Sequence, residues 1–99
     1  DAINRSYYAA FYAIKALLAL EEVDFKRHKD VVAYFNRTYA ATEKIPREIG
    51  RKLARLQQKR EKSDYDDFYI ASKEETLEQI ENTKSVILAV KDCLSKMEN

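Results

Sequence analysis

Arg5, His28 and Arg60 are the side chains of this sequence whose types could do chemistry on a phosphate. An arginine stabilises the charge that builds on a phosphorane, and a histidine or tyrosine moves the proton. In RNA the 2′-hydroxyl supplies the nucleophile, so metal-free cleavage would need little more. Tyr8, Tyr12, Asp64 and Tyr65 are the candidate companions of these three residues. Most other chemistries lack their parts. One histidine and one cysteine do not make a zinc site, and no metal or cofactor is expected. Gly50 is the single glycine, so there is no glycine-rich phosphate loop. Ser6 or Ser63 with His28 has no supporting pattern as a nucleophile. A single histidine also supplies only half of an acid–base pair.

Each candidate has a plainer structural reading. Arg5 and Arg60 could form ion pairs with Asp64, Asp66 or Asp67 and lock a loop to the fold. His28 reads as a hydrogen-bonded histidine in the core or at its rim. Tyr7, Tyr8 and Tyr12 read as core and interface packing.

The elements that must position these residues are helical. From Asn4 to Ala13 the chain is apolar on almost every side. At 3.6 residues per turn, Ile3, Tyr7, Ala10, Phe11, Ile14, Leu17 and Leu18 share one face. Tyr8, Ala9, Tyr12, Ala16 and Ala19 share a second face, which Arg5 begins. A helix apolar all round is normally buried, and a buried guanidinium needs a partner. The spacing therefore predicts a first helix over about 2–21, with Arg5 paired inside the fold. A second helix is predicted over about 26–41, with Phe25, Val31, Val32, Phe35 and Tyr39 inward and Asp24 as its cap. Pro46 suits a first helical position, and a third helix runs from it to about Lys62. Its stripe of Ile45, Ile49, Leu53 and Leu56 points Arg60 to the core side or its edge. Residues 63–71 break the pattern. Ser72 with Glu75 three residues on is a capping box. It opens a fourth helix to about Lys96, with Leu77, Ile80, Ile87, Val90, Leu94 and Met97 inward. Short links between long helices favour an all-α antiparallel up-down bundle. Reversed helix polarity could then gather Arg5, His28, Arg60 and Asp64 at one end.

Composition agrees with that plan. The 99 residues make one domain, residues 1–99, with one Gly, one Pro and a net charge of +1. That net charge gives no global attraction to nucleic acid or membrane, and no apolar run approaches the length of a membrane span. The single cysteine excludes an intrachain disulfide and points to a reducing, cytoplasmic setting. Charge is nonetheless uneven. Pro46–Lys62 carries seven basic and two acidic residues, and Ser63–Glu75 carries one lysine and five acids. The basic face of the third helix could bind a phosphate backbone or be an ordinary solvated face.

Asn4-Arg5-Ser6-Tyr7-Tyr8-Ala9-Ala10-Phe11, then His28, then Arg60-Glu61-Lys62-Ser63-Asp64-Tyr65 together resemble the HEPN domain, in particular its small prokaryotic branch. The resemblance covers nearly the whole chain. It implies an all-α bundle that commonly dimerises, often encoded beside a minimal nucleotidyltransferase in a toxin–antitoxin or related module. Active ribonucleases of the family carry an Arg followed some four to six residues later by a His, often with a Tyr after it, and the partner can adenylylate that Tyr. Here Arg60 and Tyr65 match, but Asp64 stands near the place of the His. No Arg-to-His spacing of that kind occurs in the chain. A carboxylate there can accept from Arg60, but it repels a phosphate. Relatives also carry a helix before the Arg-x-Tyr-Tyr run that is missing here, so the Tyr8–Tyr12–Ala16 face is expected to meet a second subunit or an absent helix. The leading expectation is a homodimeric module without ribonuclease activity, acting with a nucleotidyltransferase. The alternatives are a ribonuclease using Arg5, His28 and Arg60, and a nucleotide- or RNA-binding module using the basic helix face. None involves a membrane.

Overall fold

Apolar residues at helical spacing organise α1 (Ala2–Ala19), α2 (His28–Phe35), α3 (Arg47–Tyr65) and α4 (Lys73–Met97) around one core. A π-helical turn, Asn36–Ala40, extends α2. The computed structural model describes residues 2–66 and 68–97, and no strand occurs among them. The expected all-α four-helix bundle is what forms.

α1 buries Ile3, Tyr7, Ala10, Phe11, Ile14, Leu17 and Leu18, the face predicted from spacing. Its second face is largely uncovered within this chain. Arg5, Ala9, Tyr12, Ala16 and Ala19 are exposed, and Arg5 makes no ion pair or hydrogen bond among the described residues. The expected pairing of Arg5 inside the fold does not occur among the described residues, because none of the other three helices packs on that side. α1 stops at a left-handed residue, Glu22 (φ 58°). The Val23 N–H bonds Leu18 O at 3.2 Å and the Glu22 N–H bonds Ala19 O at 3.0 Å, which is a Schellman closure without its usual glycine.

Contacts fix the helix directions. Lys52, Arg55 and Lys59 meet Ser85, Glu78 and Glu75 in turn, so α3 and α4 are antiparallel. The Thr83 hydroxyl donates to Ser6 O at 3.1 Å, joining α4 to α1. His28 at the start of α2 lies beside Tyr7, and Tyr34 near its far end reaches Glu21. The 20–27 segment therefore runs back along α1 before α2 begins. A Lys15–Asp24 ion pair of 3.1 Å pins this return. Asp24 is spent there and on the Phe25 N–H at 2.9 Å. It does not cap α2, whose N-cap is Arg27.

Ile45 just before α3 and Ile49, Leu53 and Leu56 within it are buried as predicted, and α3 extends to Tyr65 rather than Lys62. The extension puts Asp64 inside the helix, four residues from Arg60. Gly50 lies where α3 crosses the π turn. A Cβ at that position would stand 2.7 Å from Asn36 Oδ1 and 3.2 Å from Ala40 Cβ. In α4 the buried positions are Gln79, Asn82, Thr83, Val86, Val90 and Cys93. Leu77 and Met97, expected inside, are 52% and 47% exposed. The inward stripe of α4 begins with polar residues, so apolar spacing alone placed it about one position off. The capping box half forms. The Glu75 N–H bonds Ser72 Oγ at 3.0 Å, while the Glu75 carboxylate turns to Tyr69 and Lys59 instead.

Candidate functional site

Two consecutive tyrosines near the start of α1 diverge by about 100°. Tyr7 therefore points into the core at 0% exposure, while Tyr8 lies at its edge. Phe11, one turn on from Tyr7, provides the floor for His28. The two rings stack with centroids 4.0 Å apart and planes at 28°. Tyr7 Oη and His28 Nδ1 are 3.1 Å apart. That contact engages one ring nitrogen, Nδ1.

Arg60 enters from the last turns of α3. Its guanidinium carbon lies 5.2 Å from the Tyr7 ring centroid and 5.5 Å from that of Tyr8, distances at which the ring faces attract a cation. Nη2 donates to the Tyr8 hydroxyl at 3.3 Å. Nε stands 3.2 Å from Asp64 Oδ2, yet it has no hydrogen-bond partner and is buried. The pair is close in charge but misaligned in direction, so the Nε–H remains an unused donor. Because Asp64 sits on the same helix as Arg60, this ion pair does not tie the loop to the bundle. That task falls to Lys59, Tyr69 and Glu75. The Lys59 ammonium donates to Glu75 at 3.0 Å, the Tyr69 hydroxyl donates to the same carboxylate, and Lys62 lies 4.7 Å from the Tyr69 ring centroid. The hydrogen bond from Tyr69, followed by that from Lys59, holds the Glu75 pKa down at about 2. The same bond, followed by burial, pushes Tyr69 up to about 12.

Electrostatics keep the cluster largely uncharged apart from Arg60 and Asp64. Burial lowers the pKa of His28, with smaller contributions from the Arg60 and Lys15 cations, so its ring is neutral at pH 7. Burial also raises the pKa of Tyr7, against an opposing pull from Arg60. A neutral imidazole, a protonated phenol and a cation balanced by a carboxylate can hold an anion if Asp64 yields. They supply one proton-transfer group rather than two.

The fold thus brings together His28, Arg60, Asp64 and Tyr8. Tyr12 joins at the margin, its ring stacked on Tyr8 with centroids 6.0 Å apart, while 63% of it faces solvent. Arg5 is exposed and makes no contact with the cluster, and Tyr65 is 84% exposed. Asp67 lies outside the described residues. Sequence reasoning placed Tyr7 and Phe11 only in the core, although they hold the histidine. Their spacing of four residues on the face that carries the core was the available signal. Among the described residues, no group of three or more His, Cys, Asp or Glu is placed to hold a metal ion. No described helix is long and apolar enough to cross a membrane.

Comparison with known proteins follows the same outline. The profile of the HEPN domain matches residues 1–93. A UPF0332 protein of Thermotoga maritima is 30% identical over 97 residues, covering 98% of this chain and 74% of its own length. The "Putative toxin MJ0142" of Methanocaldococcus jannaschii is 32% identical over 74 residues, which is 75% of this chain and 50% of that protein. A UPF0332 protein of Gloeobacter violaceus is 35% identical over 63 residues, 64% of this chain and 50% of that one. This chain therefore spans about three quarters of the first relative and half of the other two. No solved structure matches it.

Proposed function

Since the chain belongs to the HEPN domain family, we propose that it is the helical half of a toxin–antitoxin-like module. In this reading it works as a homodimer with a minimal nucleotidyltransferase as partner, and its Arg60 cluster binds rather than cleaves. One relative is named as a toxin, which supports the class of system. The observation that carries the binding role is the Arg60–Asp64 contact of 3.2 Å. A carboxylate occupies the anion's place beside the arginine, and the one histidine is neutral with Nδ1 engaged by Tyr7. The exposed Tyr12–Ala16 face of α1 is the surface proposed for the second subunit. Tyr65, 84% exposed, is the accessible phenol that a nucleotidyltransferase would modify.

Two assays test this reading. The protein is co-expressed with a candidate minimal nucleotidyltransferase, and the complex and Tyr65 are examined by mass spectrometry. A stable complex is expected, with an added nucleotidyl group that Tyr65→Phe abolishes. Purified protein is also incubated with a mixed RNA pool beside His28→Ala and Arg60→Ala. Equal background in all three is expected. Cleavage by the wild type that both variants lose would sink the binding reading and revive the ribonuclease.

That alternative has weaker support, because Arg5 does not reach His28 or Arg60. The basic face of α3 is weaker too. Of its seven basic residues, Arg47, Arg55, Lys59 and Arg60 are each paired with a carboxylate, which leaves Arg51, Lys52 and Lys62 for a phosphate backbone.

A further inference from the structure

Two adjacent cations of α3 stand unpaired at one point of the surface. The half-buried basic side chains among the described residues are Lys15, Lys52, Lys59 and Arg60. Lys15, Lys59 and Arg60 each meet a carboxylate, at 3.1, 3.0 and 3.2 Å. Lys52 meets none among the described residues. Its ammonium donates instead to the neutral Ser85 Oγ at 3.1 Å. Partial burial of a cation without a counter-charge is unfavourable, so its ordering here needs a reason. Arg51, the residue before it, is exposed and makes no ion pair or hydrogen bond among the described residues.

Both cations line an open cavity of about 260 Å³ between the antiparallel α3 and α4, together with Glu48, Arg55 and Asn82. Helical spacing puts positions 48, 51, 52 and 55 on one side of α3. The Ser85 hydroxyl accepts from Lys52 and keeps its own hydrogen to donate. Asn82 is 8% exposed. Its Nδ2 donates to Gln79 Oε1 at 3.3 Å, while Gln79 Nε2 has no partner. The two ends of a carboxamide are similar in size, so this pair can turn over together. Turned, Gln79 Nε2 donates to Asn82 Oδ1, and Asn82 Nδ2 serves the cavity as a donor. Arg55 is held by Glu78 at 2.7 Å at one end of the cavity. Glu48 stands at the other end and carries the opposing charge.

We propose that this cavity binds a single phosphate group. Arg51 and Lys52 supply charge-assisted hydrogen bonds, and the Ser85 hydroxyl and the Asn82 amide supply neutral ones. The volume sits below the range of about 300–1,000 Å³ usual for whole ligands, which suits one phosphate and leaves the remainder of its molecule in solvent. The site is a point rather than a track, because Lys62 lies at the far end of α3 beside the Tyr69 ring. It shares no residue with the Arg60 cluster and does not depend on its role.

Magnetic resonance titrations of the isotope-labelled chain at constant ionic strength test the site. The probes are inorganic phosphate, adenosine monophosphate and dimethyl phosphate. Inorganic phosphate is expected to move the amide signals of Arg51, Lys52, Asn82 and Ser85 to saturation at millimolar concentration. Saturation by adenosine monophosphate but not by dimethyl phosphate assigns the site to a phosphate monoester. Saturation by dimethyl phosphate assigns it to a nucleic-acid backbone. Lys52→Met should weaken inorganic phosphate roughly tenfold, a loss of about 1.4 kcal/mol, while the melting temperature is kept. Arg51→Gln should weaken it by a smaller factor, and Glu48→Gln should strengthen it. If Lys52→Met does not fold, the exposed Arg51→Gln carries the test. No saturable change at these four residues with any probe overturns the site, and so does unchanged affinity in Lys52→Met and Arg51→Gln. Changes centred on Tyr8, His28 and Arg60 instead would place the anion in the other cluster and overturn it as well.

Discussion

Arg60 has more ties to tyrosine rings than to its carboxylate, and this sets the order of mutational effects. Arg60→Leu loses two ring contacts and the bond to Tyr8, an expected cost of about 1–2 kcal/mol. The Arg60 and Asp64 side chains are 22% and 35% exposed and their contact is misaligned. Asp64→Ala should therefore cost only about 0–1 kcal/mol. A fully buried pair would give the opposite order, because removing the acid would strand the cation at about 3–5 kcal/mol. Urea titrations of the two variants decide between them. His28 gives a second prediction. Its folded pKa lies below the unfolded value of 6.5, so the unfolded chain binds the proton first. Stability contributed through His28 is complete above about pH 6.5 and falls as the pH drops below it. The melting temperature of the wild type should decline between about pH 6.5 and 5, and His28→Gln should flatten that slope. At this scale Arg60, His28 and Tyr8 were legible from spacing. Arg5 was not, because its burial depended on what covers a face, which periodicity does not report.

Helix ends were the least legible feature at the scale of elements. With one glycine in the chain, the left-handed positions that stop helices fall to Glu22 and Glu43, at φ 58° and 60°. Nothing in a glutamate marks such a place. Side chains in this region carry a penalty of about 1–2 kcal/mol that glycine avoids, at some cost in chain entropy. Glu22→Gly should therefore raise stability by about 1 kcal/mol in thermal melts. The start of α4, by contrast, was readable from Ser72 and Glu75. The full role of Glu75 was not, since its partners Lys59 and Tyr69 come from outside the local motif. Because the folded pKa of Glu75 is lowered from 4.5 to about 2, its contribution is present above about pH 4.5 and is lost as pH falls toward 2. Glu75→Gln should lose that portion of the acid dependence, as circular dichroism melts through this range would register.

Across the whole molecule, the all-α class and three of the four inward stripes were visible in the sequence. The stripe of α4 was not, because Gln79, Asn82 and Thr83 are buried through partners on other residues. Asn82 donates to Gln79 at 3.3 Å, and Thr83 donates to Ser6 O. Core contacts remain the main source of stability, and Leu53→Ala, at a site with 0% exposure, is expected to cost about 2–5 kcal/mol by calorimetry. The return segment 20–27 has a kinetic consequence. Helices joined antiparallel by a short link can zip together from the turn, and α3 and α4 have that arrangement. α1 and α2 do not, since the chain must first double back before His28 can find Tyr7. Folding is therefore expected to nucleate on the α3–α4 hairpin, with the amino-terminal half docking later. Substitutions at Leu56 or Val86 should slow refolding, and substitutions at Tyr7 or Phe11 should chiefly speed unfolding. Stopped-flow chevrons would then show the anion cluster as the last part of the molecule to assemble and the first to come apart.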